Sequence, residues 1–143
     1  MATLPPEDQP DTIDVGPVRG IPIVHDDDPR FAEERAAWSR ARAKAQAMHS
    51  ADELLAGLRD DNWMVRHEAI DRLVARAGDD PRTAPALLAA AHDDAWQVRD
   101  AVLLQLRRYG PEGRDAIAAA ISDSHPDVRE TAKLALNMLG EDA

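Results

Sequence analysis

Asp60-Asp61-Asn62-Trp63-Met64-Val65-Arg66, Asp93-Asp94-Ala95-Trp96-Gln97-Val98-Arg99 and Asp123-Ser124-His125-Pro126-Asp127-Val128-Arg129 are one phrase written three times. Each opens on an aspartate, closes on Val-Arg and runs into an Ala/Leu-rich stretch with helical spacing. The arginines stand 33 and then 30 residues apart. That spacing belongs to stacked helical units, each too small to bury its apolar face alone.

Working outward from the first phrase, Ser50 and Glu53 form a capping-box pattern. The short helix they start buries Leu54, Leu55 and Leu58, and Asp60-Asp61 turn the chain. A second helix from about Trp63 to Ala77 presents Val65, Ala69, Ile70 and Leu73 inward, and Gly78 stops it. The second unit copies this with Leu87, Leu88 and Ala91, then Val98, Val102, Leu103 and Leu106, with Gly110 as the stop. The third has Ile117, Ala118 and Ile121, then Val128, Ala132 and Leu136, ending at Gly140. The glycines fall 13, 12 and 12 residues after the valines. The expected repeats are therefore 50–78, 79–110 and 111–141.

This pattern of acid, short turn, Val-Arg, then Ala and Leu at fours resembles the HEAT-like repeat family, in the short form also seen in phycobilisome-lyase-type proteins. The resemblance covers about residues 50–141 and rests mainly on the three Val-Arg pairs. It implies an all-α protein, a short α-solenoid of about three helix pairs whose second helices line a concave, protein-binding face. It also implies a ladder between repeats, with Asp60, Asp93 and Asp123 accepting near the turns and Arg66, Arg99 and Arg129 reaching a neighbouring turn. Trp63 and Trp96 stand where the third unit has Pro126, and three units make a short array.

Ahead of the repeats, 29–49 reads as a capping helix. Asp28 caps it, Pro29 fits its first turn, and Glu33 and Glu34 complement the positive end of the dipole. Phe31, Trp38, Ala41, Ala45 and Met48 give it one apolar stripe, suited to covering the end of a repeat stack. Residues 1–28 read as an acidic, Pro-rich tail, largely extended or disordered. Six prolines break any helix up to Pro29, and seven acids against two bases fill the first 30 residues. Ile13 to Val24 is its apolar part, suited to a groove of the same chain or to a partner.

Composition narrows the function. Only 3% of the chain is aromatic and the net charge is −10, which argues against nucleic acid as principal ligand because phosphate contacts need cations. There is no cysteine, so disulfides and thiolate metal sites are absent. No apolar run approaches the roughly 20 residues of a membrane span, and no secretory signal opens the chain. A soluble, cytoplasmic protein is the expectation.

Catalysis is not expected. His67-Glu68 is a lone pair where di-iron members of the family use several, and the aligned positions are Asp100-Ala101 and Glu130-Thr131. One such pair supplies too few ligands for a metal. His49, His92 and His125 do not converge by the repeat's geometry. No serine elbow or phosphate loop occurs. No cofactor, metal or catalytic residue is assigned.

The expected function is therefore a non-enzymatic protein-interaction module, an adaptor or scaffold. Its candidate contacts are the Trp63/Trp96 edge and a basic strip of Arg72, Arg76, Arg107, Arg108 and Lys133 on the second helices. The alternative use of the tryptophans is to pack over the turn of the preceding repeat. Two other functions stand beside this one: an acidic immunity- or antitoxin-like protein neutralising a basic partner, and a bilin-lyase-like subunit. Leu134, Met138 and Leu139 leave apolar surface on the last helix, where a homodimer is expected if it pairs with a second copy.

Overall fold

The computed structural model describes residues 12–13, 21–22 and 28–142. The chain divides into two compact units, Met1–Ala37 and Trp38–Ala143. In the first, two-residue strands β1 (Thr12–Ile13) and β2 (Ile21–Pro22) pair antiparallel, Thr12 opposite Pro22 and Ile13 opposite Ile21. The rest of the apolar stretch to Val24, and His25 to Asp27, lie outside the described residues.

The next helix begins as expected at Pro29, but through one 3-10 turn, Pro29–Phe31. Asp28 caps it by accepting from the Arg30 N–H at 2.9 Å. Helix α1 (Ala32–Gln46) follows, and the boundary between the two units falls within it. Its Ala41 and Ala45 are buried.

The second unit is built from helix pairs. They are α2 (Ala51–Gly57) with α3 (Trp63–Ala77), α4 (Thr83–Ala90) with α5 (Trp96–Leu106), and α6 (Gly110–Ala119) with α7 (Pro126–Asp142). The reciprocal Ser50–Glu53 box is present at the start of α2, satisfying two otherwise orphaned N–H groups. Asn62 caps α3 by accepting from the Met64 N–H at 3.0 Å. Helices α3, α5 and α7 stack side by side as the second-helix layer, with α2, α4 and α6 on their other side.

The core is one column. Leu54, Leu87 and Ile117 occupy the same register of the first helices, and Val65, Val98 and Val128 that of the second; all are at most 2% exposed. A buried aliphatic side chain of this kind stabilises by about 1.5–3 kcal/mol. The repeated valine is thus the residue that seats each second helix in the column.

Two of the three glycines differ from expectation. Gly78 ends α3 as expected, capping it with helical backbone (φ −57°). Gly110 is the first residue of α6, four residues beyond the end of α5, and its φ of +70° makes the bend between them. Gly140 stops nothing, since α7 runs through it to Asp142. A glycine ends a helix only where the chain must turn back, and spacing alone does not show that. Gly113, by contrast, is required for contact: a Cβ there would lie 2.0 Å from the Leu106 carbonyl oxygen.

Candidate functional site

The turns hold the most regular chemistry in the molecule. In each repeat the ladder aspartate accepts, through Oδ1, the N–H two residues on: Asn62, Ala95 and His125, each at 2.9 Å. Each arginine then donates from Nη1 to the carbonyl of that same aspartate at 2.8 Å. The remaining guanidinium edge reaches the next repeat. Arg66 grips Asp93 with Nε and Nη2, both at 2.9 Å, and Arg99 grips Asp123 at 2.9 and 3.0 Å. Two-pronged charge-assisted bonds of this type are the strong ones. All four side chains are 12–15% exposed.

The carboxyls feel this. Burial pushes Asp93 up, but the Arg66 bonds, the Ala95 N–H and the Arg66 charge together outweigh it and hold it below its ordinary value. Hydrogen bonding from Arg99 holds Asp123 down against burial. At the first turn Lys44 of α1 takes the arginine's place, bonding Asp60 at 2.5 Å and lowering that carboxyl.

The two tryptophans are each half-buried, and they face different neighbours. Trp63 meets Trp38 edge-on at 5.2 Å, and Trp38 also meets His67 at 5.3 Å. Trp96 lies flat on His125, centroids 3.9 Å apart and planes 9° apart. His125 belongs to the turn of the following repeat, so Trp96 packs forward, not back over the preceding turn. The reason lies in the neighbours, an α1 indole at one place and a turn imidazole at the other.

The basic residues do not form a strip. Arg72 donates to the Glu68 carbonyl and carboxylate, and Arg42 approaches the same carboxylate at 3.6 Å. Arg107 and Arg108 lie past the end of α5; Arg107 donates to the Leu104 carbonyl and Arg108 sits over the Tyr109 ring. Arg76 and Arg108 flank the Gly78 turn beside Asp79 and Asp80. Lys133 pairs with Glu130 at 3.3 Å on an exposed surface. The strip was expected with all five residues on the second helices, but α5 ends at Leu106, before Arg107 and Arg108.

Among the described residues no group of three or more His, Asp or Glu is placed to hold a metal. His67 Nδ1 and Asp100 Oδ1, one position after the ladder arginine on successive second helices, are enclosed without a hydrogen-bond partner.

Leu134, expected to leave apolar surface on the last helix, is 52% exposed. Two features escaped the sequence reading. Leu104 is 38% exposed and, like Leu134, stands five residues after its ladder arginine, on the neighbouring helix α5; comparing the repeats position by position would have found it. The other is an open groove of about 830 Å³ between α2 and α4, lined by Leu55, Leu58, Pro81, Pro85, Ala86 and Ala89 among others. No sequence signal marks it, because it depends on how far apart two first helices sit.

Stacked helix pairs joined by an Asp–Arg ladder define an α-solenoid of short repeats. A family model described as HEAT repeats matches residues 21–107, and the chain belongs to that family. The third repeat lies beyond the matched residues, yet its turn repeats the ladder bonds of the first two. No curated protein matches the chain. Among the described residues no helix is long and apolar enough to cross a membrane.

Proposed function

We propose that this chain is a non-catalytic protein-interaction module, an adaptor or scaffold that takes its partner on the exposed face of the second helices. HEAT repeats generally serve as protein-interaction modules. The observation that carries the reading is the pair Leu104 and Leu134. Large apolar side chains left in water at one register of adjacent helices are what an interface centre requires. Gln105, next to Leu104, is bonded to Asp71 across α3 and α5 at 2.8 Å. The Trp63/Trp96 edge is the competing surface, and its aromatic stacks leave it less free to meet a partner. The net charge of −10 favours a basic partner, which keeps an immunity-like role as the second reading.

The test is a double substitution, Leu104→Ser with Leu134→Ser, in the full chain. Helicity and thermal midpoint should hold, while affinity for the partner recovered from the native cell should fall at least about tenfold. Unchanged affinity, with loss on replacing Trp63 and Trp96 by Ala, would move the site to the edge. Loss in neither variant would end the proposal for both surfaces.

A further inference from the structure

The connection between α3 and α4 carries charge that the fold itself leaves unpaired. Beside it lies a cleft of about 430 Å³ lined by Val74, Arg76, Gly78, Asp79, Asp80 and Arg108 among others. Arg76 stands in the last turn of α3, and Arg108 follows the end of α5 by two residues. Asp80 is occupied: Arg82 bonds both of its carboxylate oxygens and holds the carboxyl down at about 2. Among the described residues, Arg76 and Arg108 bond no carboxylate and Asp79 bonds no cation.

Arg108 is held in place. Its guanidinium lies over the Tyr109 ring, 5.7 Å from the centroid. It also lies against Gly78, where a Cβ would stand 3.1 Å from Nη2 and 3.3 Å from Cζ. The backbone of Gly78 is helical, so glycine is needed there for close approach, to this guanidinium and to the Val74 carbonyl oxygen, and not for its φ. The Tyr109 hydroxyl donates to the Gly78 carbonyl at 3.0 Å, which fixes the segment that carries Arg108 to the turn beside it. A cation fixed by packing loses little freedom when an anion arrives.

We propose that Arg76 and Arg108 together bind one carboxylate of a partner peptide in this cleft. Both residues are exposed, so a partner reaches them. A guanidinium suits a carboxylate because it offers two parallel N–H donors. The charge balance selects a single anion. Two guanidiniums, less Asp79 and the negative end of the α3 dipole, leave under one full positive charge. One carboxylate satisfies that, and a phosphate monoester, with nearly twice the charge, exceeds it. The net charge of −10 acts weakly here, since charges beyond about 8 Å are screened at physiological salt, and a partner of basic net charge still offers acidic side chains. The cleft shares no residue with the Leu104/Leu134 face and goes beyond the function proposed for it.

The probes are short peptides titrated into the full chain while the arginine Nε–H signals are followed by NMR. Acetyl-Ala-Glu-Ala-amide offers a side-chain carboxylate and acetyl-Ala-Ala-Ala a C-terminal one. Saturable shifts at Arg76 and Arg108 with either are expected, and the tighter binder identifies the source. Acetyl-Ala-Gln-Ala-amide should give none. Arg76→Gln and Arg108→Gln should each weaken binding at least about tenfold, the weight of a charge-assisted hydrogen bond. Helicity should hold, because neither guanidinium pairs with a carboxylate of the described residues. Arg114→Gln, which removes an exposed cation on α6, should leave the titration unchanged. So should Leu104→Ser with Leu134→Ser, which separates failure of this cleft from failure of the face proposed above. No shift with either carboxylate, equal shifts with the glutamine peptide, tighter binding of a phosphoserine analogue, or an equal loss in Arg114→Gln overturns the proposal.

Discussion

At one end of the helix pairs, the turns before α3, α5 and α7 share the same aspartate-to-N–H and arginine-to-carbonyl bonds. At the other end no two connections are alike. Between α3 and α4, Thr83 is fully buried and its hydroxyl donates to the Ala77 carbonyl at 2.6 Å, while Arg82 binds Asp80 and Asp52. Between α5 and α6 the chain bends through Gly110, and the Tyr109 hydroxyl donates to the Gly78 carbonyl at 3.0 Å. One end joins repeats by a shared, mostly buried charge-assisted grip, the other by bonds suited to each loop, among them the solvent-exposed Arg82–Asp52 pair that water screens. Stacking strength should therefore be concentrated at the ladder end.

Breaking the ladder gives the largest expected effect. Arg99→Ala removes the grip on Asp123 and the bonds to its own turn, leaving a mostly buried carboxylate unpaired. A loss of about 2–3 kcal/mol is expected, read as a lower urea midpoint. A loss under about 0.5 kcal/mol would place this pair with ordinary surface ion pairs.

Acid probes the same contacts more gently. Asp60, Asp93 and Asp123 all titrate below the ordinary aspartate value of 3.8 when folded. Groups depressed in the folded state add stability that is full above the unfolded value and lost as pH falls through the folded one. Stability should be level from neutral pH to about 5 and decline below about 4. In Arg99→Ala that decline should be shallower, because Asp123 loses the largest of the interactions that hold it below its ordinary value. Parallel pH curves for the two proteins would contradict the assignment.

The smallest effect is expected at the opposite end. Tyr109→Phe deletes one neutral hydrogen bond and keeps the ring, so about 1 kcal/mol should be lost. A loss matching that of Arg99→Ala would erase the contrast between the two ends.

Much of this was legible beforehand, and the reasons are local. The Ser50–Glu53 box, the Asp28 cap and the inward valines follow from contacts within four residues, which spacing encodes directly. The ladder was legible through the repeat, since equal phrases imply equal turns. The ends of α5 and α7 were not: Gly110 and Gly140 share a register, yet one bends the chain and the other rides inside a helix. Trp63 and Trp96 also share a register and point to different partners, because Trp38 comes from α1 and His125 from the following turn. Leu134 was legible as apolar surface on the last helix, but Leu104 was hidden by its type, as a leucine on a helix reads as core until the neighbours are placed.

By itself the sequence determined the period, the helix pairs, the valine column and the identity of the ladder residues, all properties that recur at fixed spacing. Only the tertiary structure decided which edge of each arginine meets which carboxylate. It also decided that Lys44 closes the first turn. The physical reason is that a periodic sequence specifies the surface each repeat offers, whereas a contact depends on what the adjoining repeat puts there.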